Sequence, residues 1–152
     1  MSEQSAVSAA RSADSPDLRT VGQVMRPTVT VEPYAHLAAA MYLIRHSHDP
    51  ALVVMRCDRP MPQGTIGYAD IARAIDAGKN PEDVLVEDVA EASHTTIAAE
   101  TALVAAAHLM HEQGVQRLPV MDEQQLVGIV ELADCYARGV ESGPIAVAGG
   151  SP

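Results

Sequence analysis

The sequence predicts an α+β protein built from two βαββα repeats related by a pseudo-two-fold axis, each a small sheet covered by helices. Three observations predict it. A helical face of Leu37, Ala40, Met41 and Ile44 recurs as Leu103, Ala106, Ala107 and Met110, each set at i, i+3, i+4, i+7 spacing and related by a constant offset. Each face is followed by two short apolar strands, 52–55 with 65–67 and then 118–121 with 126–130. Each unit closes on a helix that carries an aligned aspartate, Asp70 or Asp134. One unit of this size has too little interior to bury its sheet alone, so the two are expected to share a core and leave clefts between them.

Taken in order, residues 1–17 are rich in Ser and Ala without periodicity and read as a disordered N-terminal arm. The first repeat spans 18–78. It opens on a Val-x-x-Val turn (Val21, Val24) and a β-prone segment 29–31, and Pro33 precedes its first helix, where a missing N–H does little harm. Its hairpin connection, 56–63 (RCDRPMPQ), is longer than the counterpart in the second repeat. Pro60 and Pro62 cannot donate to a ladder, so an exposed, specialised loop is expected there. A turn-rich joint (GKNPED, 78–83) leads into a linker, 79–85.

The second repeat, 86–140, starts on the matching Val86 and Val89 and a β-prone segment 95–97. Thr101 is expected to cap the following helix and Gly114 to end it in a left-handed conformation. From there the stretch 114–136, GVQRLPVMDEQQLVGIVELADCY, reads as strand, polar turn, strand and helix in one compact unit. Residues 141–152, with Gly, Ser and Pro, read as a disordered C-terminal tail.

Composition narrows the function classes. The chain of 152 residues is 47% hydrophobic yet has no Phe and no Trp, so its core must be made of Ala, Val, Leu, Ile and Met. Twenty acidic residues against ten basic ones give a net charge of −10, and Lys79 is the sole lysine. A field of that sign repels phosphate backbones and anionic lipid, which argues against nucleic-acid and membrane partners. No apolar run approaches a membrane span and the N-terminus lacks a signal-peptide core, so the chain is read as cytoplasmic. Cys57 and Cys135, without CxxC spacing, fit reduced thiols there. No G-x-S-x-G elbow, P-loop or paired nucleophile and base is present, which argues for binding rather than catalysis.

The opening VGQVMRP, the closing segments GTIGYADIARAI and VGIVELADCYA, and LPVMD before the latter resemble a pair of CBS domains, or Bateman module, over about residues 18–140. The likeness is closest to small bacterial proteins made only of such a pair. The resemblance implies a regulatory, non-catalytic sensing module, a homodimer that acts on a regulated protein and binds an adenosyl ligand: AMP, ADP, ATP or S-adenosylmethionine. It places the ribose hydroxyls on Asp70 and Asp134, whose carboxylates would each accept two hydrogen bonds from a vicinal diol. The strand backbone at Thr30 and Val31, and at Thr96 and Ile97, would face the adenine edge. Ile66, Pro119 and Ile129 complete the expected lining, and Arg117 would hold a phosphate by a forked contact.

Two departures from the family pattern stand out. Phosphate-binding members carry Ser or Thr three residues before the aspartate, where this chain has Gly67 and Glu131; Glu131 would repel a phosphate and leaves room for an uncharged or sulfonium ligand. Arg117 is matched in the first repeat by Ala51, so the two sites are expected to differ.

Plainer readings stand beside these. Asp70 and Asp134 also fit helix N-terminal carboxylates that satisfy backbone donors, and Arg117 fits a solvated strand residue. His46 and His48 with Asp49, and His108 with His111 one turn apart, suggest a metal only weakly without a third ligand, so no metal ligand is assigned. Cys57, beside Arg56 and Arg59, reads as an ordinary exposed thiol and Cys135 as core. A ligand-free dimerisation or scaffold module, and a metal or redox sensor, are the alternatives to adenosyl sensing.

Overall fold

The computed structural model describes residues 19–136 other than positions 48, 50 and 60. The arms expected at 1–17 and 141–152, and His48 and Pro60, lie outside the described residues. The first repeat comprises α1 (Val21–Val24), β1 (Thr30–Val31), α2 (Leu37–Ser47), β2 (Ala51–Val54), β3 (Gly64–Gly67) and α3 (Tyr68–Asp76). The second comprises α4 (Val86–Val89), β4 (Glu91–Ala92), β5 (Ile97–Ala98), α5 (Leu103–Gln113), β6 (Arg117–Asp122), β7 (Gln125–Glu131) and α6 (Leu132–Cys135). Each sheet has a parallel edge strand ahead of an antiparallel hairpin, β1-β2-β3 and β5-β6-β7, as the repeat predicts. Among the described residues no helix is long and apolar enough to cross a membrane.

The helical faces behave as their spacing dictates. Leu37, Ala40 and Ile44 of α2 are buried, with Met41 packed against them, and Leu103, Ala106, Ala107 and Met110 of α5 are all buried. Gly114 ends α5 at φ 68°, where its N–H reaches the carbonyls of Met110 and His111. In β2 and β3 alternation splits the residues: Leu52, Val54 and Ile66 enter the first core, whereas Ala51 and Val53 meet Ile129 of β7 in a thin apolar layer between the repeats.

The two repeats are closed crosswise. Val21 and Val24 of α1 belong to the second core, with Leu103, Met110, Leu118 and Val130. Val86 of α4 belongs to the first, with Leu37, Leu52 and Ile66. Matching backbone bonds fix both exchanges: Val21 N–H donates to the Thr101 carbonyl at 2.8 Å and Val86 N–H to the Ala35 carbonyl at 2.8 Å. In return Leu103 N–H reaches the Arg19 carbonyl and Leu37 N–H the Val84 carbonyl. After each one-turn helix the chain adds to the other repeat's hairpin, Glu91 opposite Thr65 in β3 and Arg26 opposite Ile129 in β7.

This close approach explains two glycines in the GTIG and VGIV segments. A β-carbon at Gly128 would lie 2.8 Å from the Arg26 carbonyl oxygen, and one at Gly64 would collide with the Glu91 carbonyl oxygen.

Several expectations are corrected. The Val-x-x-Val segments are one-turn helices docked on the opposite repeat, and each repeat has its own core rather than half of a common one. Thr101 does not cap α5: the chain stays extended through Ala102, which bridges to Thr20 and takes the cap position one residue later. The β-prone segment 95–97 pairs only from Ile97 onward; the Thr95 hydroxyl donates instead to Gln113 Oε1 at 2.7 Å. In the 56–63 loop Cys57 and Met61 are exposed, whereas Pro62 is buried.

Candidate ligand cleft between the repeats

Both aspartates lie in the seam between the repeats, and each meets an arginine from the opposite one. Asp134, near the start of α6, receives a two-pronged contact from Arg26: Nε to Oδ2 at 3.0 Å and Nη2 to Oδ1 at 2.9 Å. Arg26 is carried there by the backbone bridge to Ile129, which sets the first repeat's lead-in beside β7. Hydrogen bonding to Asp134 holds the Arg26 guanidinium above its ordinary pKa, with Glu131 and Asp49 adding to the attraction.

Asp70 is more enclosed, at 6% exposure. Its Oδ2 accepts the Gly67 N–H at 2.9 Å, capping α3, and its Oδ1 accepts Arg73 Nη2 at 2.6 Å. Arg117 of β6 adds a longer contact, Nη1 to Asp70 Oδ2 at 3.6 Å, and turns its Nε toward Glu131 Oε2, also at 3.6 Å. Arg117 therefore belongs with Asp70 as much as with the second repeat's own carboxylates, and Glu131 is partly neutralised by it. The buried Arg117 Nε makes no hydrogen bond, and neither does the hydroxyl of Thr65, 2% exposed and paired across the sheet with Val53.

The expected lining divides into three groups. Val31, Ile66 and Ile97 send their side chains into the repeat cores. The Val29 and Val31 carbonyls accept Val53 and Met55 N–H groups, so in this parallel edge strand only Thr30 turns its backbone away from β2. Thr30 is exposed and opens on a groove of about 640 Å³ with Thr28, Val29, Met55, Gln125 and Leu126. Pro119 and Ile129 are buried, Ile129 in the layer between the repeats, and Thr96 is half-buried. The structure thus brings Asp134 together with Arg26 along β7, and Asp70 with Arg117 across the seam.

Arg26, Arg73 and Thr65 were not apparent from the sequence as site residues. Arg73 lies one turn after Asp70. Arg26 is signalled only by comparing the repeats, where Glu91 takes the equivalent position in the second.

The remaining reactive groups sit apart. Glu32 Oε2 accepts the Cys57 N–H at 2.9 Å and raises the thiol's pKa, overriding the mild help expected from Arg56 and Arg59; Arg56 is instead paired with Asp58 at 2.8 Å. Burial pushes the Cys135 thiol up to about 11. His108 contacts Glu112 at 3.2 Å, and among the described residues no three His, Cys, Asp or Glu side chains converge as a metal site.

Comparison with known proteins places this architecture. The CBS domain model matches residues 21–77 and again 83–139. A protein of Methanopyrus kandleri, itself described as uncharacterized, is 28% identical over 117 residues; that alignment covers 76% of this chain and 60% of the relative, so the chain spans less than two thirds of the relative's length. Among solved structures, a hexameric CBS-CP12 protein from bloom-forming cyanobacteria superposes with a TM-score of 0.75 at 21% identity, covering 84% of this chain and 76% of that one. A putative signal-transduction protein with CBS domains from Burkholderia ambifaria gives 0.65 at 23%, covering 88% and 96%. Hypoxic Response Protein I, solved with two coordinated zinc ions, gives 0.62 at 26%, covering 78% and 97%. With the family model matched twice in tandem, over two units that each carry the expected sheet and helices, the chain belongs to the CBS domain family and is a CBS-domain pair.

Proposed function

We propose that this CBS-domain pair is a non-catalytic sensing module that binds an adenosine-containing ligand (AMP, ADP, ATP or S-adenosylmethionine) in the cleft between its repeats. Occupancy would be transmitted through the geometry of a homodimer to a regulated protein. The observation that carries the reading is the position of Asp70 and Asp134 in the seam, where Arg26 of the opposite repeat bonds Asp134 and Arg117 of the opposite repeat approaches Asp70 at 3.6 Å. A diol taking such a carboxylate must displace or share that arginine, so binding acts on the contacts between the repeats. A ligand shifts the module only as far as it prefers one arrangement over another.

Thermal unfolding of the full chain against AMP, ADP, ATP, S-adenosylmethionine, NADH and zinc tests the proposal. A ligand at about 100 times its dissociation constant adds roughly 2.7 kcal/mol, an easily measured rise in melting temperature. An adenosyl compound is expected to give that rise and Asp70→Ala or Asp134→Ala to remove it; no rise with any of them refutes adenosyl sensing.

A second reading, a ligand-free dimerisation or scaffold module, is favoured by one specific observation. Asp70 already accepts Gly67 and Arg73, and Asp134 already accepts Arg26, as structural carboxylates do. That reading predicts that both substitutions lower stability equally with and without nucleotide.

A further inference from the structure

Resting on the adenosyl reading above, the geometry points to a charge rule for the Asp134 cleft: it selects an adenosyl ligand whose 5′ substituent is uncharged or positive, and Arg26 is the built-in competitor that such a ligand displaces. The argument starts from what occupies the carboxylate. Asp134, its side chain 13% exposed, is held by a cation, the Arg26 guanidinium, through two short contacts. Glu131 and Asp49 also act on Arg26. Arg117 offsets Glu131 only in part, because it reaches Glu131 at 3.6 Å and is shared with Asp70.

One carboxylate thus holds one dissociable guanidinium, and Glu131 and Asp49 add to its attraction from further off. When a ribose diol takes Asp134, Arg26 leaves, and the cleft it vacates is negative. A phosphate entering there faces Glu131, three residues before Asp134 at the mouth of α6, whereas a sulfonium replaces the charge that Arg26 removes.

The Asp70 side is built differently. Its carboxylate has two guanidinium partners, Arg73 and Arg117, and an N–H from its own chain, so it is saturated rather than closed by one removable group. The repeat comparison gives the reason: Glu91 stands where Arg26 stands in the first repeat, and the cation is supplied from β6 instead.

Arg26 is also suited to release. Its side chain is 46% exposed, so the freed guanidinium is solvated rather than stranded, while its backbone stays bonded to Ile129. The lead-in segment therefore keeps its place when the side chain lets go.

The test is titration calorimetry of the full chain with S-adenosylmethionine, adenosine and AMP. The expected order of affinity is sulfonium, then adenosine, then AMP. Arg26→Ala removes the competitor and is expected to tighten adenosine binding about two- to fivefold, the range of a partly exposed ion pair, with Arg26→Lys between it and the native chain. Glu131→Gln is expected to shrink the preference for sulfonium over AMP by about tenfold while the fold stays intact. Asp134→Asn is expected to abolish all three. AMP binding tighter than adenosine, adenosine weakened by Arg26→Ala, or a preference unmoved by Glu131→Gln each overturns the charge rule and leaves adenosyl binding standing. Failure of all three compounds to bind the native chain overturns both.

Discussion

Truncating Val86 to alanine tests the crosswise closure of the repeats. By sequence Val86 opens the second repeat, yet its side chain is fully buried in the first core beside Leu37, Leu52 and Ile66. Removing two methylene-sized groups forfeits about 1.6 kcal/mol of transfer free energy. The cavity left among neighbours that relax only partly brings the cost to about 2–3 kcal/mol. For a chain of this length that lowers the melting temperature by roughly 5–10 °C. Amide hydrogen exchange locates the damage: protection should fall first at β2 and β3 while β6 and β7 keep theirs, and Val21→Ala should give the opposite pattern. Val86→Ala loosening β6 and β7 first, or costing less than about 0.5 kcal/mol, would refute the exchange.

Gly64→Ala drives a β-carbon into the Glu91 carbonyl, so we expect a loss of about 3 kcal/mol or more in denaturant unfolding, above that of Gly78→Ala, whose β-carbon meets nothing and which bears only the backbone strain of φ 86°. Arg117→Met leaves Glu131 without its partner while Asp70 keeps Arg73, and should cost about 1–2 kcal/mol; a neutral result would show the 3.6 Å contacts to be idle. Thiol labelling of the folded chain should modify Cys57 and spare Cys135 until unfolding, and equal rates would contradict the burial of Cys135. The folded chain keeps the Cys135 proton up to about 11, whereas the unfolded chain releases it near 9.0. The stability this contributes is present below pH 9 and falls as pH rises toward 11; denaturant midpoints should show that slope, and Cys135→Ala should flatten it.

Much of this architecture follows from residues near one another in the chain. Two amphipathic faces at matched spacing, a left-handed glycine at Gly114 and alternating strands around a polar turn specify the elements and their repetition, because helical period, strand period and turn chemistry are local properties. The aspartates could be aligned the same way. Their partners could not. Which core receives Val21 or Val86 depends on how two near-identical sheets face each other, and an apolar pair fits either one by sequence. Arg26 meets Asp134 across 108 positions only because a backbone bridge to Ile129 carries it there. Arg117, by sequence a phosphate clamp or a solvated strand residue, meets Asp70 of the other repeat because β6 lies against β3. The sequence by itself determined the elements and the repeat; the pairing of charges in the cleft was decided by tertiary structure, since electrostatic partners are set by distance in space and not by separation along the chain.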